Sequence, residues 1–298
     1  MRVFLTGSTG FIGQAVLAEL VGAGYDVVGL CRSEQTASAL SKAGGVPYLG
    51  DLTNANVLEA GARSCDGVIH LAFMHDFQKY LEAGATDLHA IRAFTNALEG
   101  SGKPMVVTSG SAVLTPGRLA IETDDALQGV YASPRAPSEA AAIAAADRGV
   151  RSSVIRLPPS VHDAGDHGFI PALIGIARSK GFSAYIGDGA NRWPAVHRSD
   201  AAKLYRIALE RASAGSYCHG VAEEGLAMRD IASFIGSKLG IPTHSIDIEE
   251  AGEHFGWLAH FVAIDNPVSS ALTRDRLGWI PAGPSLFDDM DAAGYFAD

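Results

Sequence analysis

Cysteine is scarce in this chain: Cys31, Cys65 and Cys218 are the three among 298 residues. Their number is odd and no pair has C-x-x-C spacing, which argues against a disulfide framework and a structural zinc site. A reducing compartment, the cytoplasm, is the expected location. Long apolar runs are also missing. None approaches the 18 or so residues of a membrane-spanning helix, so no membrane partner is expected. The start, MRVFLTGSTGFIG, has glycines where a secretory leader would have an apolar run and a small-residue cleavage site. An excess of positive charge is absent as well. Lys and Arg number 23 against 33 Asp and Glu, a net charge of −10. Such a surface repels phosphate backbones, so nucleic acid is not an expected partner.

Apolar residues make up 47% of the chain and charged residues 19%, enough for a substantial core. Short β-rich runs alternate with helical segments through the first half. RVFLTG, DVVGLC, VPYL, DGVIHLAF, PMVVTS and SSVIRL read as strands. Helices are expected at Phe11 to Ala23, Glu34 to Ala43 and from about Gly84 to Leu98, with an Ala-rich helix before SSVIRL. Apolar runs alternating with helices predict an α/β fold, a doubly wound parallel sheet of the Rossmann type. After about Pro158 the pattern loosens. The expected division is a dinucleotide-binding core over 1–160 and a smaller, mainly substrate-binding lobe over 161–298, with returns to the core sheet. EHFGWLAHF reads as one amphipathic helix of the core or of a cleft lid.

FLTGSTGFIG carries the strongest signal. Gly7, Gly10 and Gly13 form G-x-x-G-x-x-G directly after a strand and directly before a helix. Gly7 permits the tight turn, Gly10 a close approach to a pyrophosphate, and Gly13 close helix–sheet packing. With Ser8, Thr9, Phe11 and Ile12 they frame a helix N-terminus whose unpaired N–H groups suit an anion. The end of the second strand, GLCRSE, puts Arg32 and Ser33 where an acidic residue would hold the ribose hydroxyls of NAD. A guanidinium there grips a 2′-phosphate, which favours NADP as cofactor, while Glu34 next door keeps NAD in play. Asp51 either lies beside the adenine or caps the helix that follows.

With these features the chain resembles the extended short-chain dehydrogenase/reductase superfamily, the NAD-dependent epimerase/dehydratase family. TGSTGFIG, GDL, VIHLA, VIRLPPSVH and WPAVHRSDAA match its ordered series of motifs over most of the length. The resemblance implies an oxidoreductase or epimerase/dehydratase that moves a hydride between a nicotinamide and a small hydroxyl or carbonyl substrate. It also implies a homodimer through two long helices. Leu52, Leu71, Ala72, Phe73 and Pro158 fall at its cofactor-lining positions. Its acid/base Tyr corresponds to Tyr131, followed by Glu139 at the family spacing. Arg135 stands in place of the Lys that lowers the Tyr pKa, and the two side chains are not interchangeable. The hydroxyl that binds the substrate oxygen is Ser109 or Ser111, because Gly110 falls at the family position. Asp87 stands in place of the relay Asn. It shares a helical stripe with Ile91, Phe94 and Leu98, so it either pairs inside the cleft or sits at an exposed helix start.

VYASPRAPSE holds two prolines. Pro137 at the first helical position places Glu139 at the third, and leaves Tyr131 and Arg135 in the loop before the helix. His75, His162, His167, Arg192 and Trp193 are the candidate substrate contacts. Asp163 and Asp166 beside the two histidines of PSVHDAGDHGF fit a cleft loop better than a metal site, and no metal is expected. The other functional reading is a binding module that keeps NADP as a redox signal without turnover.

Overall fold

The computed structural model describes residues 1–74, 79–129 and 132–297. The N-terminal half runs β1 (Arg2–Thr6), α1 (Phe11–Gly22), β2 (Asp26–Cys31), α2 (Glu34–Lys42), β3 (Val46–Leu49), α3 (Ala55–Arg63), β4 (Gly67–His70), α4 (Tyr80–Leu98), β5 (Pro104–Gly110), α5 (Ala136–Ala144) and β6 (Arg151–Leu157). The remainder runs β7 (Ser160–His162), α6 (Phe169–Lys180), β8 (Ser183–Ile186), β9 (Arg192–His197), α7 (Arg198–Arg211), β10 (Ser216–His219), β11 (Glu223–Ala227), α8 (Met228–Leu239), β12 (Thr243–Ile246), α9 (Ala251–Phe255), α10 (Ala259–Val262), α11 (Ala271–Leu277) and α12 (Leu286–Ala292).

Seven strands form one sheet in the order β10-β6-β5-β4-β1-β2-β3, with every pairing parallel. The inner strands are apolar on both sides because helices cover both faces. On one face α1 and α7 pack over Val3, Leu5, Val106 and Ile155. On the other α3, α4 and α5 bury Phe4, Leu58, Val68, Ile91, Phe94 and Met105. Strand order reverses between β1 and β4, and the crevice beyond their C-terminal ends is where such sheets bind ligands.

Residues 161–298 divide between the main sheet and a smaller body. Within them α7 covers the main sheet and β10 forms its edge. The rest builds a smaller body from the sheet β11-β9-β7 and the pair β12-β8. Around these, α6, α8, α9 and α12 close a core of Leu173, Trp193, Ile231, Phe255 and Met290. EHFGWLAHF is α9, a 3-10 turn over Gly256–Leu258 and α10, broken at Gly256, instead of one helix. Among the described residues no helix is long and apolar enough to cross a membrane.

Two boundaries differ from expectation, and both bear on the site. Helix α4 begins at Tyr80, so Gly84 lies inside it. A Cβ added there would come 2.5 Å from the Pro134 carbonyl oxygen. This close approach, and not a break in the helix, accounts for the glycine. Helix α5 begins at Ala136, with Arg135 as its N-cap and Pro137 second. Pro137 still falls in the first turn, where its missing N–H has no intrahelical partner to lose.

Candidate functional site

The glycine loop joins β1 to α1 and lies against the segment after β4. The Gly10 amide donates to the Gly7 carbonyl at 3.0 Å, and a side chain at Gly13 would overlap that same carbonyl. Helix α1 has no side-chain N-cap and no acidic residue in its first turn. Its leading N–H groups are free for an anion, so the loop fits a dinucleotide pyrophosphate. Ser8 is buried and its hydroxyl lacks a hydrogen-bond partner among the described residues. The Thr9 carbonyl accepts from Gln14. Ile12 packs on the core.

At the end of β2, Arg32 is exposed, whereas Ser33 caps α2 by accepting from the Thr36 amide. Asp51 accepts from the Thr53 amide at 2.9 Å and the Thr53 hydroxyl at 2.8 Å. These two bonds hold its carboxyl below the usual range, with a smaller contribution from the charge of Arg32. Asp51 thus braces the turn before α3, which is capped by Asn54. Leu52 and Leu71 pack on the two core layers, and the Ala72 amide donates to the Thr6 hydroxyl at 3.2 Å.

Beyond β4 and β5 lies a polar cluster. The Thr6 hydroxyl meets His70 Nδ1 at 2.7 Å, and His70 Nε2 meets Asp87 Oδ1 at 3.1 Å. With Thr6 accepting from Ala72, its own proton goes to Nδ1, and His70 then carries its proton on Nε2 and donates to Asp87. Asp87 is on the third turn of α4 and buried, so the exposed helix start is excluded. Burial raises its pKa, but the bond from His70 and the charge of Arg135 act against it, and the carboxyl titrates below its usual range. His70 escaped the sequence reading. Its signal is a polar residue inside the apolar run VIHLA, which requires a buried partner.

Arg135 donates through Nη2 to the Thr108 carbonyl at 2.6 Å and stacks 4.2 Å above the Phe73 ring. Its Nε is buried without a hydrogen-bond partner among the described residues. Thr108 in turn bonds the His70 carbonyl and the Tyr205 hydroxyl, each at 2.8 Å. The two serines separate. Ser111 donates to Asn266 Oδ1 at 2.6 Å, and Asn266 returns a bond to the Ser111 carbonyl. Ser109 is buried with its hydroxyl unpartnered among the described residues. Pro158 follows β6 and is buried. Tyr131 and His75 lie outside the described residues.

Glu139 and Arg156 form a buried ion pair at 2.7 Å. Arg156 also donates to the Asp124 carbonyl and stacks 3.8 Å above Tyr217. Three of the expected substrate contacts are placed elsewhere. His162 is fully buried and bonds Asp289 through Nδ1 at 2.9 Å. Trp193 is a core residue whose indole N–H donates to the Phe261 carbonyl. Arg192 is closed in a two-pronged pair with Asp265, both contacts at 2.9 Å. Trp193 belongs to the smaller body's own core. His167 is exposed and sits edge-on to Phe11. Asp163, His197 and Asp289 approach within 4.8 Å of one another. Asp163 is already paired with Arg198, and Asp289 with His162, so the group reads as an ion-pair cluster.

Burial lowers the pKa of His162 and of His219 against the opposing pull of Asp289 on the first and of the Ser269 carbonyl on the second. The unfolded chain takes up protons at these positions as pH falls through about 6.5. The folded chain does so only lower. Stability is therefore complete above that value and declines below it. The urea midpoint should be lower at pH 5.5 than at pH 7.5, and His219→Gln should reduce the difference. A midpoint unchanged over this interval would contradict the assignment.

The sequence profile of the NAD dependent epimerase/dehydratase family matches residues 3–219. The chain belongs to this family. It is 49% identical to uncharacterized protein C2A9.02 of Schizosaccharomyces pombe, over 99% of this chain and 100% of that protein. It is 29% identical to a 4-hydroxy-2-methyl-3-oxo-4-farnesyl-3,4-dihydroquinoline-1-oxide ketoreductase of Stigmatella aurantiaca, covering 72% of this chain and 66% of the other. Among solved structures, dTDP-glucose 4,6-dehydratase of Streptomyces venezuelae, with NAD bound, superposes with a TM-score of 0.78 at 19% identity, covering 99% of this chain and 97% of that one. That likeness is one of fold. Membership in the family supports NAD(P)-dependent oxidoreductase or epimerase chemistry and a nicotinamide cofactor.

Proposed function

We propose that the chain is an NADP-dependent reductase or dehydrogenase of a small hydroxyl or carbonyl compound without a diphosphate. One observation carries the choice of substrate class. Arg192 is the arginine outside the cofactor turn that a sugar nucleotide's diphosphate would call on, and it is engaged by a carboxylate, Asp265. The similarity to a ketoreductase points the same way. When bound, the nicotinamide supplies or takes up a hydride.

In this reading Tyr131 donates or accepts the proton at the substrate oxygen. Arg135 supplies the positive charge that a phenol of pKa about 10 needs to act near neutral pH. Ser109, with its hydroxyl unclaimed, binds the substrate oxygen, and Ser111 stays with Asn266. Asp87, oriented by His70, fixes the field around Arg135. Gly7 to Gly13 receive the pyrophosphate, and Arg32 receives the 2′-phosphate. Arg32→Ala should weaken NADPH binding roughly tenfold or more and leave NADH within about twofold. Equal losses for both would refute the phosphate role.

A second reading, binding without turnover, is favoured by Arg135, whose guanidinium is already committed to Thr108 and Phe73. NADPH oxidation over a panel of ketones and aldehydes separates the two. Turnover that Tyr131→Phe reduces by about 10²-fold or more supports the enzyme. Tight NADPH binding with no turnover on any carbonyl, and unchanged in Tyr131→Phe, supports the sensor.

A further inference from the structure

The glycine loop and α1 contain no Lys or Arg between Gly7 and Gly22. The cation beside this turn comes from far along the chain. Arg198, the first residue of α7, lays its guanidinium 4.5 Å above the Phe11 ring, with Nη1 3.5 Å from the Phe11 carbonyl oxygen. Phe11 is the first residue of α1, and the His167 ring meets it edge-on with centroids 5.8 Å apart.

Arg198 does not hold this pose unaided. Its Nε and Nη2 reach Asp163 Oδ2 at 2.9 and 2.8 Å, which turns the planar face toward Phe11. His197 Nε2 stands 3.7 Å from the other carboxylate oxygen. The loop carrying Asp163 is fixed in turn by the end of the chain. The Tyr295 hydroxyl accepts from the Asp163 amide at 3.2 Å and donates to Asp166 Oδ2 at 3.0 Å. Burial raises the Tyr295 pKa, with the charge of Asp166 adding to it, so the hydroxyl remains a donor. Arg178 anchors the same tail by donating to the Phe296 carbonyl at 2.7 Å. An unbroken series of contacts thus runs from the C-terminal tail through residues 163–167 to the first turn of α1.

We infer that Arg198 is a positioning residue for the dinucleotide, and that Tyr295 sets its pose from the opposite end of the chain. Arg198 braces Phe11 and brings positive charge to the turn that receives the pyrophosphate. The adenosine end, at Arg32 and Asp51, has no part in this series. The inference rests on the dinucleotide-binding reading above.

The test compares an intact cofactor with a fragment. NADPH and NADH binding are measured by calorimetry, and adenosine 2′-monophosphate by NMR titration, for wild type, Arg198→Ala, Arg198→Lys and Tyr295→Phe. Arg198→Ala should weaken both dinucleotides about tenfold, Tyr295→Phe about threefold, and Arg198→Lys should recover part of the loss, while the fragment stays within about twofold throughout. Dinucleotide affinities unchanged in Arg198→Ala and Tyr295→Phe would overturn the inference. So would a fragment affinity that falls in step with the dinucleotides, since that is the mark of general loss of structure. If Arg198→Ala does not fold, Tyr295→Phe alone decides between the same outcomes. A wild type that binds neither dinucleotide overturns the functional reading itself, a result distinct from either failure of the clamp.

Discussion

Glu139→Ala should destabilise the protein by roughly 3–5 kcal/mol, because it leaves the Arg156 guanidinium buried without its counter-charge. Arg156 is fully buried and Glu139 is 1% exposed, so water cannot take the place of the missing carboxylate. Among the described residues the contacts that remain, the Asp124 carbonyl, His219 Nε2 at 3.5 Å and the Tyr217 ring, supply no counter-charge. Removing both charges should be milder. In Glu139→Leu/Arg156→Met much of the loss should be recovered, since a packed apolar pair carries no desolvation penalty. Urea midpoints for the single and double variants give the comparison. A single variant within about 1 kcal/mol of wild type would show the pair to be dispensable.

Gly84→Ala should cut turnover about 10- to 100-fold under the proposed reading while leaving NADPH affinity within about twofold. In an ordinary helix interior this substitution stabilises, by about 0.4–1 kcal/mol, because alanine has less freedom to lose on folding. Here the new methyl group would press on the Pro134 carbonyl at 2.5 Å. Pro134 is backbone and cannot rotate aside, so the segment between Tyr131 and Arg135 has to move. The bond between the Tyr80 and Ser133 hydroxyls, 3.3 Å, ties the same segment to α4 and would be disturbed with it. The glycine loop lies elsewhere, so the effect should fall on kcat and spare cofactor binding. A variant with a higher melting temperature and full turnover would show that the contact is relieved without consequence.

Much of the fold was legible in the sequence because it depends on pattern. Six apolar runs bounded by glycine, proline or aspartate are strands of the main sheet. The glycine turn was legible for the same reason, since strand, glycines and helix are contiguous. What remained hidden is non-local. Asp87 on a buried stripe called for a partner, yet nothing near it in sequence indicated His70. The choice between Ser109 and Ser111 depends on Asn266, 155 residues beyond Ser111. Trp193 and Arg192 looked like a substrate-facing pair because exposure cannot be read from neighbouring residues. Only the packing against Phe261 and Asp265 places one in the core and the other in an ion pair.

The return of β10 to the main sheet has a consequence for how the chain is made. Strand β6 ends at Leu157 and its outer neighbour begins at Ser216, with much of the smaller body between them. At about 5–20 residues per second the ribosome would leave β6 with an unpaired, apolar edge for several seconds. Such an edge is a template for pairing with another nascent chain. Synthesis slowed between residues 157 and 219 should therefore increase aggregation more than the same delay placed after residue 219.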